Sequence, residues 1–235
     1  VFEHAGARAV HEPDPRWLRL VGNAHASGSM SRARAAKVVQ RVRRDVVRGD
    51  TPYVEANSLI SGLVGPVLDA FDDAFVVQIV REPLSYVSSA IAWGQYRFAG
   101  RLLNVVPYRR LAAPQYRPWS PAARLHWMFQ GQFERLCWTW TAQNAAMRTQ
   151  GGSTSRFRSI RFEDLIDPAR GPELLGELFD SIGLSSSSVE AVMQAAAASK
   201  NESASRSERV ELSAPQRTRL REVCGAEAAR YGYVV

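Results

Sequence analysis

From Arg32 to Arg48, apolar residues fall at Ala35, Val38, Val39, Val42 and Val46. That three-and-four spacing predicts a helix with one buried face. Gly49-Asp50-Thr51-Pro52 carries the residues that stop it. Tyr53-Val54-Glu55 reads as a short strand, and Asn57 or Ser58 is placed to cap a helix running to about Leu68. Phe75 to Val80 is a β-branched run between Asp72-Asp73 and Arg81-Glu82-Pro83, the pattern of a buried parallel strand. Pro83 suits the first turn of a helix that continues through Ser85–Trp93. A long helix is expected from about Pro121 to Met147, and a strand over Arg156–Arg161. Phe162-Glu163-Asp164-Leu165 opens another helix, and one over 172–182 stops at Gly183. Ser187-x-x-Glu190 and Ser213-x-x-Gln216 are capping boxes for helices over 188–198 and 214–230. Residues 13–30, with Pro, Gly and Ser, read mostly as loop, and 94–119 as a long irregular excursion. Strands alternating with helices predict an α/β fold with a parallel sheet.

Composition narrows the class. The chain has 235 residues, 46% hydrophobic and 23% charged, which is globular and sufficient for one domain with its own core. No apolar run approaches the roughly 18 residues of a membrane span, so no stable membrane insertion is expected. Val1 to Pro13 lacks the basic start and apolar run of a signal peptide. Cys137 and Cys224 have no C-x-x-C spacing, so neither a zinc site, a redox pair nor a disulfide framework is expected. That usage suits a reducing, cytoplasmic setting.

The net charge is +7, and Lys37 and Lys200 are the only lysines among 30 cations. Arginine is the better fork for phosphate or carboxylate, although a coding bias produces the same excess. Arg32, Arg34, Arg41, Arg43, Arg44 and Arg48 crowd one predicted helix. No helix-turn-helix, zinc finger or aromatic–basic RNA motif accompanies them, so nucleic acid is not the expected partner. A nucleotide-dependent kinase would need G-x-x-x-x-G-K-[ST], which is absent.

Candidate chemistry gathers after the Phe75–Val80 strand. Ligands of open α/β sheets bind beyond the carboxyl ends of strands. Arg81 stands there, and a helix starting at Pro83 would aim unsatisfied N–H groups at the same place. Ser85 and Ser89 lie one helical turn apart, with Ser88 beside them. A guanidinium and hydroxyls in that arrangement suit a phosphate.

Val77-Gln78-Ile79-Val80-Arg81-Glu82-Pro83, with Ser89 eight residues after Arg81, resembles the 3′-phosphate segment of sulfotransferases that use 3′-phosphoadenylylsulfate (PAPS). Glu82 stands where that pattern has Asp. Arg161-Phe162-Glu163-Asp164-Leu165 resembles the family's R-Y-E-D-L motif, and Lys200-Asn201 its basic loop over the nucleotide. The stretch from Leu212 to Tyr231-Gly232-Tyr233 resembles its last helix and finish. The likeness covers residues 50–235.

The resemblance implies a single three-layer αβα domain over residues 1–235 with a central, mainly parallel sheet whose first strand is missing. It implies transfer of a sulfuryl group from PAPS, as co-substrate and without a metal, to a hydroxyl of a small molecule, lipid or saccharide. Arg81 and Ser89 would hold the 3′-phosphate and Lys200 would add charge. Phe162 would supply ring packing where the family has Tyr. Trp138, Trp140 and Asn144 resemble a W-x-x-x-N helix pattern that also reads as plain core packing. Segment 94–119 would be an acceptor-side insertion, with Trp93, Tyr96, Phe98, Tyr108, Tyr116 and Trp119 as acceptor-side candidates.

The family's K-S-G-T-T-type loop for the 5′-phosphosulfate is not found. Gly22 to Ser29 is the only glycine-bearing candidate; it lacks Lys and reads as an ordinary loop. The chain does not begin with Met, and the expectation is that residues 1–15 follow a missing strand and loop, with Val1–Ala9 the rest of the first helix. A homologue that binds PAP or PAPS without catalysis is the alternative. His11-Glu12-Pro13 then falls beside the acceptor, and Glu12 or His11 is the expected general base. Histidine titrates near neutrality as a residue type, and a carboxylate withdrawn from water gains basicity. Glu55 is the third candidate, and His126 reads as an ordinary helix residue.

Overall fold

Two parallel strand pairs organise the chain. The computed structural model describes residues 6–49, 51–92, 130–185, 189–194 and 211–235. Strand β1 (Arg8–His11) runs beside β2 (Tyr53–Ala56), in register from Arg8↔Tyr53 to His11↔Ala56. Strand β3 (Val76–Val80) runs beside β4 (Phe157–Arg161), from Val76↔Phe157 to Val80↔Arg161. Among the described residues these are two separate two-stranded sheets, both parallel. The α/β reading with parallel pairing holds at that level.

Helices fill the connections. They are α1 (Pro15–Ala26), α2 (Arg32–Arg43), α3 (Val64–Ala70) after a 3-10 turn at Ser58–Gly62, and α4 (Pro83–Ala92). Then come α5 (Gln132–Gly151), the single turn α6 (Phe162–Leu165), α7 (Gly171–Ser181) and α8 (Ala214–Ala229). Residues 189–194 are also helical. Ser31 caps α2 through Arg34 N–H, and Ser213 with Gln216 forms the expected capping box of α8.

Four expectations fail locally, the first being one long helix from Pro121: Gly131 is extended and α5 starts only at Gln132, so residues 130–131 are not helical. Residues 13–30 are mostly helix α1, not loop: Leu18 and Val21, one turn apart, are buried against Ala35, Ala36 and Val39 of α2 and Leu63. Proline at the start of α1 costs no hydrogen bond. Arg8 and Ala9 belong to a strand rather than to the end of a first helix, because Tyr53–Ala56 offers them a parallel partner. Gly6, at φ 77, takes the left-handed turn that leads into it. The segment after Asn57 does not form one helix: it tightens into the 3-10 turn before α3 begins.

The main core lies between β3, α4, α5 and α8. Val80, Val87, Leu136, Trp140, Leu220, Val223 and Tyr233 meet there. Each fully buried side chain of this kind contributes about 1.5–3 kcal/mol. Cys137 and Cys224 meet in the same core as free thiols. Contact with Cys224, together with burial, pushes the Cys137 thiol up. β3 is buried on one face only: Val76, Gln78 and Val80 point inward while Ile79 is 54% exposed. Gly151 ends α5 so close to the Phe157 ring that a Cβ has no room. That close approach lets β4 start directly beneath the helix.

Candidate functional site

The carboxyl end of β3 and β4 brings three distant segments into one cluster. Glu82 N–H donates to Glu163 Oε1 at 3.0 Å, joining the end of β3 to the turn after β4. The Tyr233 hydroxyl, from the chain's last residues, is shared between Val80 O at 2.8 Å and the Glu163 carboxylate. Burial, and then the bond to Glu163, push that phenol up. The Arg161 guanidinium stacks 4.4 Å from the centre of the Tyr233 ring. Trp140 Nε1, from the buried face of α5, donates to Arg81 O at 2.9 Å and fixes the backbone of Arg81 from below. Asn144, one turn on, is buried and accepts from Gln78 Nε2 at 2.9 Å. So the Trp140–Asn144 pair is core, as its simpler reading held, and it also positions the strand end.

On this frame Arg81 is half-buried, its guanidinium carbon 5.4 Å from the centre of the Phe162 ring. Such a contact contributes about 0.5–1 kcal/mol. The carboxylates nearby are engaged elsewhere. Glu82 turns back on its own helix: its two oxygens accept from Leu84 N–H at 2.9 Å and Ser85 N–H at 2.6 Å. This overturns the expectation that the start of α4 offers open amides. Pro83 has no N–H, and Tyr86 N–H bonds to Glu82 O at 2.9 Å. Among the described residues the donors that remain for an anion beside α4 are the Arg81 guanidinium and the hydroxyls of α4, and at the end of β4 the buried Nε of Arg161 is also without a hydrogen bond. Among the described residues Arg81 has no carboxylate partner. Ser85, Ser88 and Ser89 are half-buried on α4.

The carboxyl end of β1 and β2 is built differently. Glu12 and Asp14 both adopt left-handed backbone, at φ 43 and φ 52. For non-glycine residues this costs roughly 1–3 kcal/mol each. Arg43, buried on the inner face of α2, holds the turn: NH2 donates to Pro13 O at 3.0 Å and NH1 to Asp14 Oδ2 at 3.2 Å. The same guanidinium reaches Glu55 with Nε at 2.8 Å and NH2 at 3.1 Å. Tyr53 hydroxyl at 3.0 Å and Asn57 Nδ2 at 2.6 Å complete the shell of Glu55. Burial pulls the Arg43 guanidinium down, but Glu55 outweighs it and holds it raised. Burial, followed by the neighbouring Glu55 charge, pushes the Tyr53 phenol up to about 12. With four donors Glu55 is a structural anion, and its candidacy as a base ends there. Glu12 is half-buried and accepts from Ser58 Oγ at 2.5 Å, while His11 is exposed at the end of β1.

The structure thus brings Arg81 and Phe162 together, and His11 and Glu12 together. Among the described residues no hydrogen bond or ion pair joins the two ends. Lys200, Ser187, His126, Trp93 and the 94–119 segment with Tyr96, Phe98, Tyr108, Tyr116 and Trp119 lie outside the described residues. The roles of Tyr233, Arg43 and Ser58 act across long sequence separations that no local pattern marks, whereas Asn57, expected only as a candidate cap, reaches Glu55 from two residues away. Among the described residues no helix is long and apolar enough to cross a membrane. No protein-family model, no curated protein and no solved structure matches the chain.

Proposed function

We propose that the chain holds the 3′-phosphate of a PAPS-type nucleotide at the end of β3 and belongs to the chemistry of sulfuryl transfer. The observation that carries this is Arg81: a half-buried guanidinium beyond a parallel strand, lying over the Phe162 ring while Trp140 holds the Arg81 backbone carbonyl, with no carboxylate partner among the described residues. Most guanidiniums with a described contact are given to a carboxylate or a carbonyl. One left over at a strand end suits an incoming anion. Ser89, and Lys200 beyond the described residues, would complete the phosphate contacts. On this reading the two parallel pairs are parts of one central sheet in a three-layer fold. Transfer would form a bond from an acceptor oxygen to sulfur and break the bond from sulfur to the 5′-phosphate. The acceptor proton would pass to Glu12 or His11, and PAP would leave.

Titration of PAP by calorimetry, with Arg81→Ala as the comparison, tests the site. Binding weakened at least about tenfold in the variant is expected. A folded wild-type chain that ignores PAP, or a variant that binds as well, would overturn it.

A second reading, binding without transfer, is favoured by one observation: residues 1–235 contain no K-S-G-T-T-type loop to cradle the 5′-phosphosulfate. PAP binding with no release of PAP from PAPS across a panel of hydroxyl acceptors would support it.

A further inference from the structure

One face of α2 plays no part in that site, and it carries four cations that the described residues leave almost unbalanced. The sequence places Lys37, Arg41, Arg44 and Arg48 at steps of four, three and four, which aligns them on one helix side continued past its end. They surround an open hollow of about 520 Å³ whose apolar wall is Val47 and Phe71. Gln40 closes its base by donating to Ala70 O at 3.4 Å.

The helix sorts its cations. Arg32 is spent on Asp69, with both contacts at 2.7 Å, and Arg43 is buried on Glu55. Lys37, Arg41 and Arg44 are exposed and have no ion-pair partner among the described residues. Arg48 has only Asp45, at 3.8 Å and largely exposed, a contact of little energetic weight. Like charges gathered round one concavity repel one another, and an anion with several charges removes that repulsion. Guanidinium forks match the oxygens of phosphate in pairs. The size falls within the range of small-molecule sites. Phe71 and Val47 give such a ligand an apolar surface to lie on. Asp45, Asp72 and Asp73 adjoin the lining residues in the chain and are exposed, so the basic area is interrupted by carboxylates. A compact ligand avoids them; a long polyanion does not.

We infer that this hollow binds a small organic polyphosphate, a molecule with several phosphate groups on one compact, partly apolar body. The inference is independent of the PAP reading and is tested apart from it, in the full chain carrying Arg81→Ala. Inorganic tripolyphosphate and ATP are titrated by calorimetry into that protein and into the same protein with Arg41→Gln and Arg44→Gln added. Both probes are expected to bind, ATP several-fold tighter. The added pair is expected to weaken each by about a hundredfold, tenfold for each charge-assisted contact removed. Val47→Ser, at an exposed position, is expected to shrink the advantage of ATP over tripolyphosphate. Arg34→Gln, on the same helix but outside the hollow, is expected to change nothing. Equal affinity with and without Arg41 and Arg44 would overturn the inference, as would an equal loss in Arg34→Gln. Tighter binding of a single-stranded oligonucleotide than of ATP at the same salt would replace it with an extended polyanion surface.

Discussion

The ends of the two strand pairs occupy the same architectural position and treat charge in opposite ways. At the end of β1 and β2 a guanidinium and a carboxylate consume one another: the side chains of Arg43 and Glu55 are only 7% and 10% exposed, and Tyr53 and Asn57 take the remaining oxygen sites. At the end of β3 and β4 the carboxylates serve backbone amides and a phenol, and the guanidinium of Arg81 is left on an aromatic face. The first arrangement is closed and holds strained backbone in place. The second is supported from beneath by Trp140, and among the described residues its guanidinium has no carboxylate. The partner the arginine takes is what separates the two strand ends, and the proposed phosphate site rests on that difference.

The largest expected effect breaks the closed end. Arg43→Ala leaves Glu55 buried without its cation and releases the turn at Asp14, and should lower stability by about 3–5 kcal/mol in denaturant unfolding. Replacing both partners, Arg43→Met with Glu55→Leu, should recover most of that loss; a double variant as unstable as the single one would show that the pair is not the cause. At the open end, Tyr233→Phe removes a hydroxyl shared by Val80 O and Glu163 and should cost about 1–2 kcal/mol by the same measurement. An unchanged midpoint would mean that Glu163 is held by Glu82 N–H alone.

A pH arm sharpens the contrast at an intermediate scale. The folded phenol of Tyr53 titrates at about 12, above its ordinary value of 10.0. A raised folded value means that the native state holds the proton more tightly. Its contribution is therefore complete below about pH 10 and lost as pH rises through about 12. Tyr53→Phe should flatten that part of the stability profile, and an identical slope in the variant would remove Tyr53 as its source. The smallest effect on stability is expected at Arg81: Arg81→Ala should cost no more than about 1 kcal/mol, the value of its ring contact, while PAP affinity falls. A large loss of stability with unaltered affinity would make Arg81 a structural residue like Arg43.

Much of this frame is legible from pattern alone. The β-branched run of β3, the capping box of α8 and the position of Arg81 follow from neighbours in sequence. The one-sidedness of β3 does not, because a continuous apolar run reads as buried on both faces, and Ile79 is open. Helix α1 hides behind its Pro and Gly content, although proline at its first position and Leu18 with Val21 are helix signals. Six arginines on and just beyond α2 look alike in sequence. Only the strand carrying Glu55 selects Arg43 to be buried, only Asp69 claims Arg32, and the hollow is what remains. Glu82 stands at the N-cap of α4 and does there what an aspartate does, taking the Leu84 and Ser85 amides that the sequence pattern alone leaves open.

Both strand pairs also set the speed at which this chain can assemble. Gln78 and Ser159, neighbours in the β3–β4 ladder, are 81 positions apart, and Glu12 and Ser58, at the end of the β1–β2 ladder, are 46 apart. Neither pairing can be nucleated by a hairpin, so each requires a long loop to close before any ladder bond rewards it. Helices α2, α5 and α8 can form early from local signals, but the ends of the strands are drawn together late. Refolding should therefore be slow for a protein so rich in helix, with Arg81 and Phe162 among the last residues to meet.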